Sequence, residues 1–203
     1  MIKTTILVLS LVSASCCLST YRASAGDGDL TNEEHVGKVH SKEMMIFDFS
    51  KAADPSEWEV EDDVVMGGRS EGAFSINDLG DGVFSGMVSL ENNGGFSSIQ
   101  HHFERINVSG YSKVVLRLKG DGKRYQFRIE SDRSERHSYI YPFETSGEWQ
   151  TVEIPLAEMY PQYRGQRLDL PNYPGLTMAQ VRFLIANAKP ESFHLEIDKI
   201  WLK

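Results

Sequence analysis

The sequence predicts an all-β protein, an antiparallel β-sandwich of jelly-roll type with about ten strands and little helix. Three observations predict it. Apolar and polar residues alternate with a period of two in several segments after Met44, as half-buried antiparallel strands require. Turn-forming residues punctuate the chain at short intervals, with 17 Gly and 7 Pro among 203 residues. Helical apolar spacing is nowhere sustained beyond a turn or two.

The strands follow in order. Ile46 to Phe49 opens the set; Ala73 to Ile76 and Val83 to Leu90 are joined by the turn Gly80-Asp81-Gly82. Phe96 to Phe103 comes after Asn92-Asn93-Gly94-Gly95. Lys113 to Lys119 and Arg124 to Ser131 flank Gly120-Asp121-Gly122, which reads as a hairpin because glycine accepts the positive φ of such turns. Ser138 to Phe143, Trp149 to Ile154, Val181 to Ala186 and Phe193 to Leu202 complete the set. In Arg124 to Ser131, Tyr125, Phe127 and Ile129 point one way, and Arg124, Gln126, Arg128 and Glu130 the other. Leu156 to Tyr160 and Thr177 to Gln180 are expected to make short helical turns, and Pro161 to Leu176 an irregular connection.

Residues 1–25 read as an export signal: Lys3, then the apolar run Ile6 to Val12, then Ala23-Ser24-Ala25 as a small-x-small cleavage pattern. Both cysteines, Cys16 and Cys17, lie in it, so cleavage after Ala25 leaves a mature domain without disulfide or thiolate chemistry. Ser13-Ala14-Ser15 before Cys16 also admits a lipoprotein signal, with a lipid anchor at Cys16 or Cys17. The protein is therefore expected outside the cytoplasm: periplasmic, secreted or lipid-anchored. Residues 26–43 are polar and read as a linker to a single domain over 44–203. Losing Lys3 and Arg22 moves the net charge from −8 to −10, which argues against a nucleic-acid partner. No transmembrane helix is expected in the mature chain.

Few patterns carry chemistry. Gly68-Arg69-Ser70-Glu71-Gly72 spells G-x-S-x-G, but that elbow needs a strand turning into a helix, and here another strand follows. His101 and His102 are adjacent on a strand, so they face opposite ways and cannot share a metal. Asn77-Asp78, Asp81 and Glu91-Asn92-Asn93 offer loop oxygens that suit a structural Ca²⁺, and ordinary turn chemistry accounts for them equally. No other cofactor is expected. The polar side of the central strands, Arg117, Lys119, Arg124, Gln126, Arg128 and Glu130, with Arg182 near, reads either as one binding patch for a polar ligand or partner or as a solvated face with cross-strand ion pairs.

Several motifs in series resemble the complex I intermediate-associated protein 30 family. They are Asp62-Asp63-Val64-Val65-Met66-Gly67-Gly68-Arg69-Ser70, Phe84-Ser85-Gly86, Asn93-Gly94-Gly95-Phe96-Ser97-Ser98 and Leu116-Arg117-Leu118-Lys119-Gly120-Asp121-Gly122-Lys123-Arg124-Tyr125. Trp149, Ile154-Pro155, Tyr163-Arg164-Gly165 and Phe193 to Ile200 continue the order. The resemblance implies a galactose-binding-domain-like jelly roll with no catalytic residues to carry over. It also implies a chaperone-like assembly role, although the leader here is secretory in pattern rather than Arg-rich and mitochondrial. Asp63, Met66, Gly67, Gly68, Ser70, Gly94, Gly95, Phe96, Gly120, Asp121, Gly122 and Tyr125 are expected to serve mainly architecture, with Met66 and Phe96 anchoring their loops in the core and valine at Gly67 unfolding the domain.

Three functions follow as expectations. The first is a non-catalytic protein-binding or assembly module; the second is a carbohydrate-binding module, with Tyr139, Tyr141, Tyr160 and Tyr163 as candidate platforms. The third, an enzyme on polysaccharide using a carboxylate pair such as Asp132 and Glu135, is disfavoured because that pair is unspecific.

Overall fold

A computed structural model describes residues 42–203; the export signal, both cysteines and most of the expected linker lie outside the described residues. Among the described residues, thirteen strands form two antiparallel sheets, β1 Met44–Asp48, β2 Trp58–Asp62, β3 Glu71–Ile76, β4 Gly82–Val88, β5 Ser97–Asn107, β6 Lys113–Lys119, β7 Arg124–Glu130, β8 Ser138–Glu144, β9 Gln150–Pro155, β10 Tyr160–Tyr163, β11 Gln166–Arg167, β12 Thr177–Ile185 and β13 Glu191–Leu202. One sheet runs β3-β4-β13-β6-β9, with β1 also on β13; the other runs β11-β10-β8-β7-β12-β5-β2. The antiparallel sandwich of the prediction is what forms.

Period-two alternation decides which side chains meet between the sheets. On β7, Tyr125, Phe127 and Ile129 are fully buried, and on β13 Phe193, Leu195 and Ile197 are buried opposite them in the same core. Phe84, Leu116, Leu118, Ile154 and Phe183 fill the middle. An aromatic group of Phe47, Phe49, Trp58, Phe74 and His101 closes one end, with His101 stacked on Trp58 at 5.3 Å. Each such fully buried side chain contributes about 1.5–3 kcal/mol by removal from water.

One strand was not anticipated, and three local expectations are corrected. The segment Trp58–Asp62 is a strand, although only Trp58 and Val60 supply its apolar period. Tyr160–Tyr163 and Gln166–Arg167 pair as a hairpin where an irregular connection was expected, and Thr177 to Gln180 is strand rather than helix; Leu156–Glu158 alone keeps a 3-10 turn. In both cases long-range pairing with β8 and β5 overrides the weak local signal. Gly120-Asp121-Gly122 does not close a hairpin: β6 pairs β13 and β9, whereas β7 pairs β8 and β12, so this segment carries the chain from one sheet to the other. The turn at Gly80 does close the β3–β4 hairpin as read.

Candidate functional site

The outer face of the seven-stranded sheet carries rows of hydrogen-bonding side chains, because the residues opposite the core on each strand are polar. Register places Glu59, Gln100, Arg182 and Arg128 in one row across β2, β5, β12 and β7, and Glu61, Ser98, Leu184 and Gln126 in the next. Arg182 lies 2.9 Å from Glu61 and donates to the Gln100 amide oxygen. Arg128 donates from Nε (3.1 Å) and Nη2 (2.6 Å) to Gln126 Oε1, and from Nη2 (3.1 Å) to Gln162 Oε1 on β10. Burial, then the neighbouring Arg182, pushes the Arg128 guanidinium down to about 10. Burial pushes the nearby Glu130 carboxyl up.

A groove of about 750 Å³ opens over one end of these rows. Arg128, Arg182 and Leu184 contribute to its floor; Val65, Met66, Leu90 and Phe96 form the side near β2, and Arg164-Gly165 at the β10–β11 turn the side near β10. The loops on the β2 side are fixed by a single carboxylate. Asp63, fully buried, accepts from Ser70 N at 2.9 Å, Ser70 Oγ at 2.5 Å, Gly95 N at 2.6 Å and Phe96 N at 3.2 Å. Burial alone would raise its pKa; the hydrogen bonds from Ser70, Gly95 and Phe96 outweigh it and hold the carboxyl below its ordinary value. A methyl group at Gly68 or Gly94 would overlap this carboxylate, so both glycines are required for close approach. Gly67 differs: it has open space around it and a φ of +92°, so conformation rather than room selects glycine.

The second motif locks the crossing between sheets. Tyr125 is fully buried and donates from its hydroxyl to Asp121 Oδ1 at 2.9 Å, while Asp121 Oδ2 accepts from His194 N at 2.9 Å and from Lys123 Nζ at 2.5 Å. Burial, then the Asp121 charge, pushes the Tyr125 phenol well above its usual range. A side chain at Gly120 would collide with Thr145, and Gly122 has a φ of +79°.

The predicted six-residue patch is divided by this crossing. Arg117, over the Trp149 ring at 5.4 Å, and Lys119, 3.5 Å from Glu196, lie on the outer face of the other sheet. Arg124 forms a loose, exposed pair with Glu144 at 3.9 Å. Gln126, Arg128 and Glu130 share the groove-bearing face with Arg182. Met66 does not anchor a loop in the core: it is 60 % exposed, and Phe96 is half-buried at the groove. Ser70 is fully buried with its hydroxyl committed to Asp63, and strand β3 follows it, so it is no exposed nucleophile.

His101 and His102 do face opposite ways. The former donates from Nδ1 to Glu57 O (2.9 Å) inside the sandwich; the latter is half-buried outside, its pKa lowered by burial and Arg133. Asn77 Oδ1 accepts from Leu79, Gly80 and Asp81, so this loop oxygen serves the turn, and Glu91 pairs with Arg69 at 2.9 Å. Among the described residues, no three His, Cys, Asp or Glu side chains gather as a metal site. Asp132 pairs with Arg105 at 2.7 Å and caps Ser134. Of the tyrosine platforms, Tyr139 is buried in the core and Tyr141 packs against it. Tyr160 lies under Arg167 at 4.6 Å and Tyr163 under Arg164 at 5.4 Å. Sequence reasoning missed Glu59 and Glu61, whose alternation with Trp58 and Val60 was the available signal, and also Gln100, Gln162 and Arg164.

Among solved structures, the chain is similar in fold to the family 11 carbohydrate-binding module from Clostridium thermocellum in complex with a β-1,3-1,4-mixed-linked tetrasaccharide. That match has a TM-score of 0.57 and 18 % identity, covering 79 % of this chain and 94 % of that one. The family 11 module of the Clostridium thermocellum cellulosomal cellulase Lic26A-Cel5E matches with a TM-score of 0.56 and 19 % identity, over the same shares of both chains. No curated protein matches the sequence. The model of the complex I intermediate-associated protein 30 family matches residues 47–197, a span that holds both the Asp63 loop lock and the Asp121 crossing; the chain belongs to that family.

Proposed function

We propose that this protein is a non-catalytic binding module that holds a carbohydrate chain in the groove on the outer face of the seven-stranded sheet, and that it works outside the cytoplasm. The observation that carries this reading is the pair of guanidinium groups on the groove floor, each oriented by amide side chains before any ligand arrives: Arg182 by Gln100, and Arg128 by Gln126 and Gln162. A sugar presents several hydroxyls, each donor and acceptor, along its edge; side chains already ordered lose little further freedom in meeting them. Phe96 and Met66 at the groove side offer apolar surface to the C–H faces of a ring. The likeness of fold to a module whose structure holds a mixed-linked tetrasaccharide agrees with this reading.

The test is titration of the protein with a panel of soluble polysaccharides and their oligosaccharides. Retention of at least one with a Kd tighter than about 1 mM, weakened in Gln162→Ala, is expected. Failure of every glycan would end the reading.

A second reading, a protein partner and an assembly or chaperone-like role, is favoured by one feature. Val64, Val65, Met66 and Leu90 are 59 %, 71 %, 60 % and 41 % exposed around the groove rim, an aliphatic patch of the kind that protein interfaces cover.

A further inference from the structure

We propose that the glycan is acidic, and that a hexuronic acid carboxylate seats on Arg128, between Arg164 and Arg182. This rests on the reading of the groove as a glycan site and names the chemical class of its ligand. Three guanidinium groups line the groove, against one carboxylate, Glu61. Glu61 is already taken by Arg182 at 2.9 Å. Among the described residues, neither Arg128 nor Arg164 has a carboxylate partner. Glu130, two residues along β7 on the same face, makes no ion pair with Arg128, and burial shifts it towards its neutral form.

The way Arg128 is held is specific. Its two donating contacts at Gln126 and its one at Gln162 go to amide oxygens, which orient the guanidinium without cancelling its charge. Nη1 donates to nothing among the described residues, so one end of the planar fork is left for a ligand. Arg182 sits directly across the strand pair from Arg128, which brings two like charges together on a half-buried face. An anion placed between them relieves that repulsion and takes up the unpaired fork. Arg164, at the tip of the β10–β11 turn with a φ of +48°, rests over Tyr163 and adds a third positive group on the far side. The chain as a whole is acidic, at −8, so this cluster is local and gives no long-range pull on a polyanion. A carboxylate fits better than a bulky charged surface, since it meets a guanidinium edge to edge.

The experiment compares four probes on the full protein by calorimetry. They are oligogalacturonate or oligoalginate, the same oligosaccharide after carboxyl reduction, a neutral β-1,3-1,4-glucan oligosaccharide, and a sulfated galactan oligosaccharide. The uronate should bind about tenfold more tightly than its carboxyl-reduced form, and in Arg128→Gln the two forms should bind equally. Arg164→Gln, on an exposed turn where folding is not at stake, should weaken uronate binding about threefold. Equal or tighter binding of the neutral or reduced probes would overturn the acidic assignment and leave the glycan reading standing. Binding of the sulfated probe alone would overturn the carboxylate assignment. Binding of none would remove both.

Discussion

On the outer face of the six-stranded sheet, Arg117 lies across Trp149, and Lys119, its side chain 37 % exposed, reaches Glu196 over 3.5 Å. On the outer face of the seven-stranded sheet, Arg182 is 15 % exposed and Arg128 is held at three points by amides. The residue types are the same, and both faces alternate with the same core. Only surroundings separate them: the second face has loops pinned above it by Asp63 and a turn carrying Arg164 beside it, so its charges are partly removed from water and fixed in place. Cationic residues on a strand therefore signal a site only when something encloses them.

Removing the enclosure is the strongest way to break the contrast. Asp63→Ala strands the Ser70, Gly95 and Phe96 donors in a buried place and should cost about 3 kcal/mol or more, seen as a large fall in Tm with loss of groove binding. Gly68→Ala, whose methyl group meets the same carboxylate, should cost about 2 kcal/mol by urea denaturation. Gly67→Ala faces strain but no collision and should cost about 1 kcal/mol, so a mutant that fails to fold would contradict this account.

Acid supplies a graded version. The folded Asp63 pKa lies below its ordinary value of 3.8, so the unfolded chain takes up its proton first. That contribution is complete above pH 3.8 and is lost as pH falls from there through the folded value; a pH series of Tm should show the loss, and Asp63→Asn should flatten it. The smallest effect belongs to the other face. Arg117→Ala with Lys119→Ala should change stability by about 1 kcal/mol or less and leave groove binding untouched, and a loss of binding would mean that the two faces act together.

Strands such as Arg124–Glu130 and Lys113–Lys119 were legible because one face is apolar throughout. What the sequence hid was pairing. The Gly-Asp-Gly between those two strands carries the local chemistry of a hairpin, and only the partners β13 and β12, far along the chain, send them to different sheets. The candidate patch divided with it: Arg117 and Lys119 went to one sheet, and Arg124, Gln126, Arg128 and Glu130 to the other. Asp63 was recognised as part of a motif but not as its centre, since nothing local tells that its four donors come from Ser70 and from Gly95 and Phe96, over thirty residues on. The short β2 and the β10–β11 hairpin, which bring Glu61, Gln162 and Arg164 to the groove, exist because longer strands offer them an edge.

Strand β13 holds three neighbours at once: β1 and β4 along one side and β6 along the other. All three precede it in the chain, β1 by well over a hundred residues, so each must wait with open backbone groups until Glu191–Leu202 arrives. Pairings of such long sequence separation make folding slow, and a polypeptide that cannot close its sheet early stays threadable for longer than one built from local hairpins.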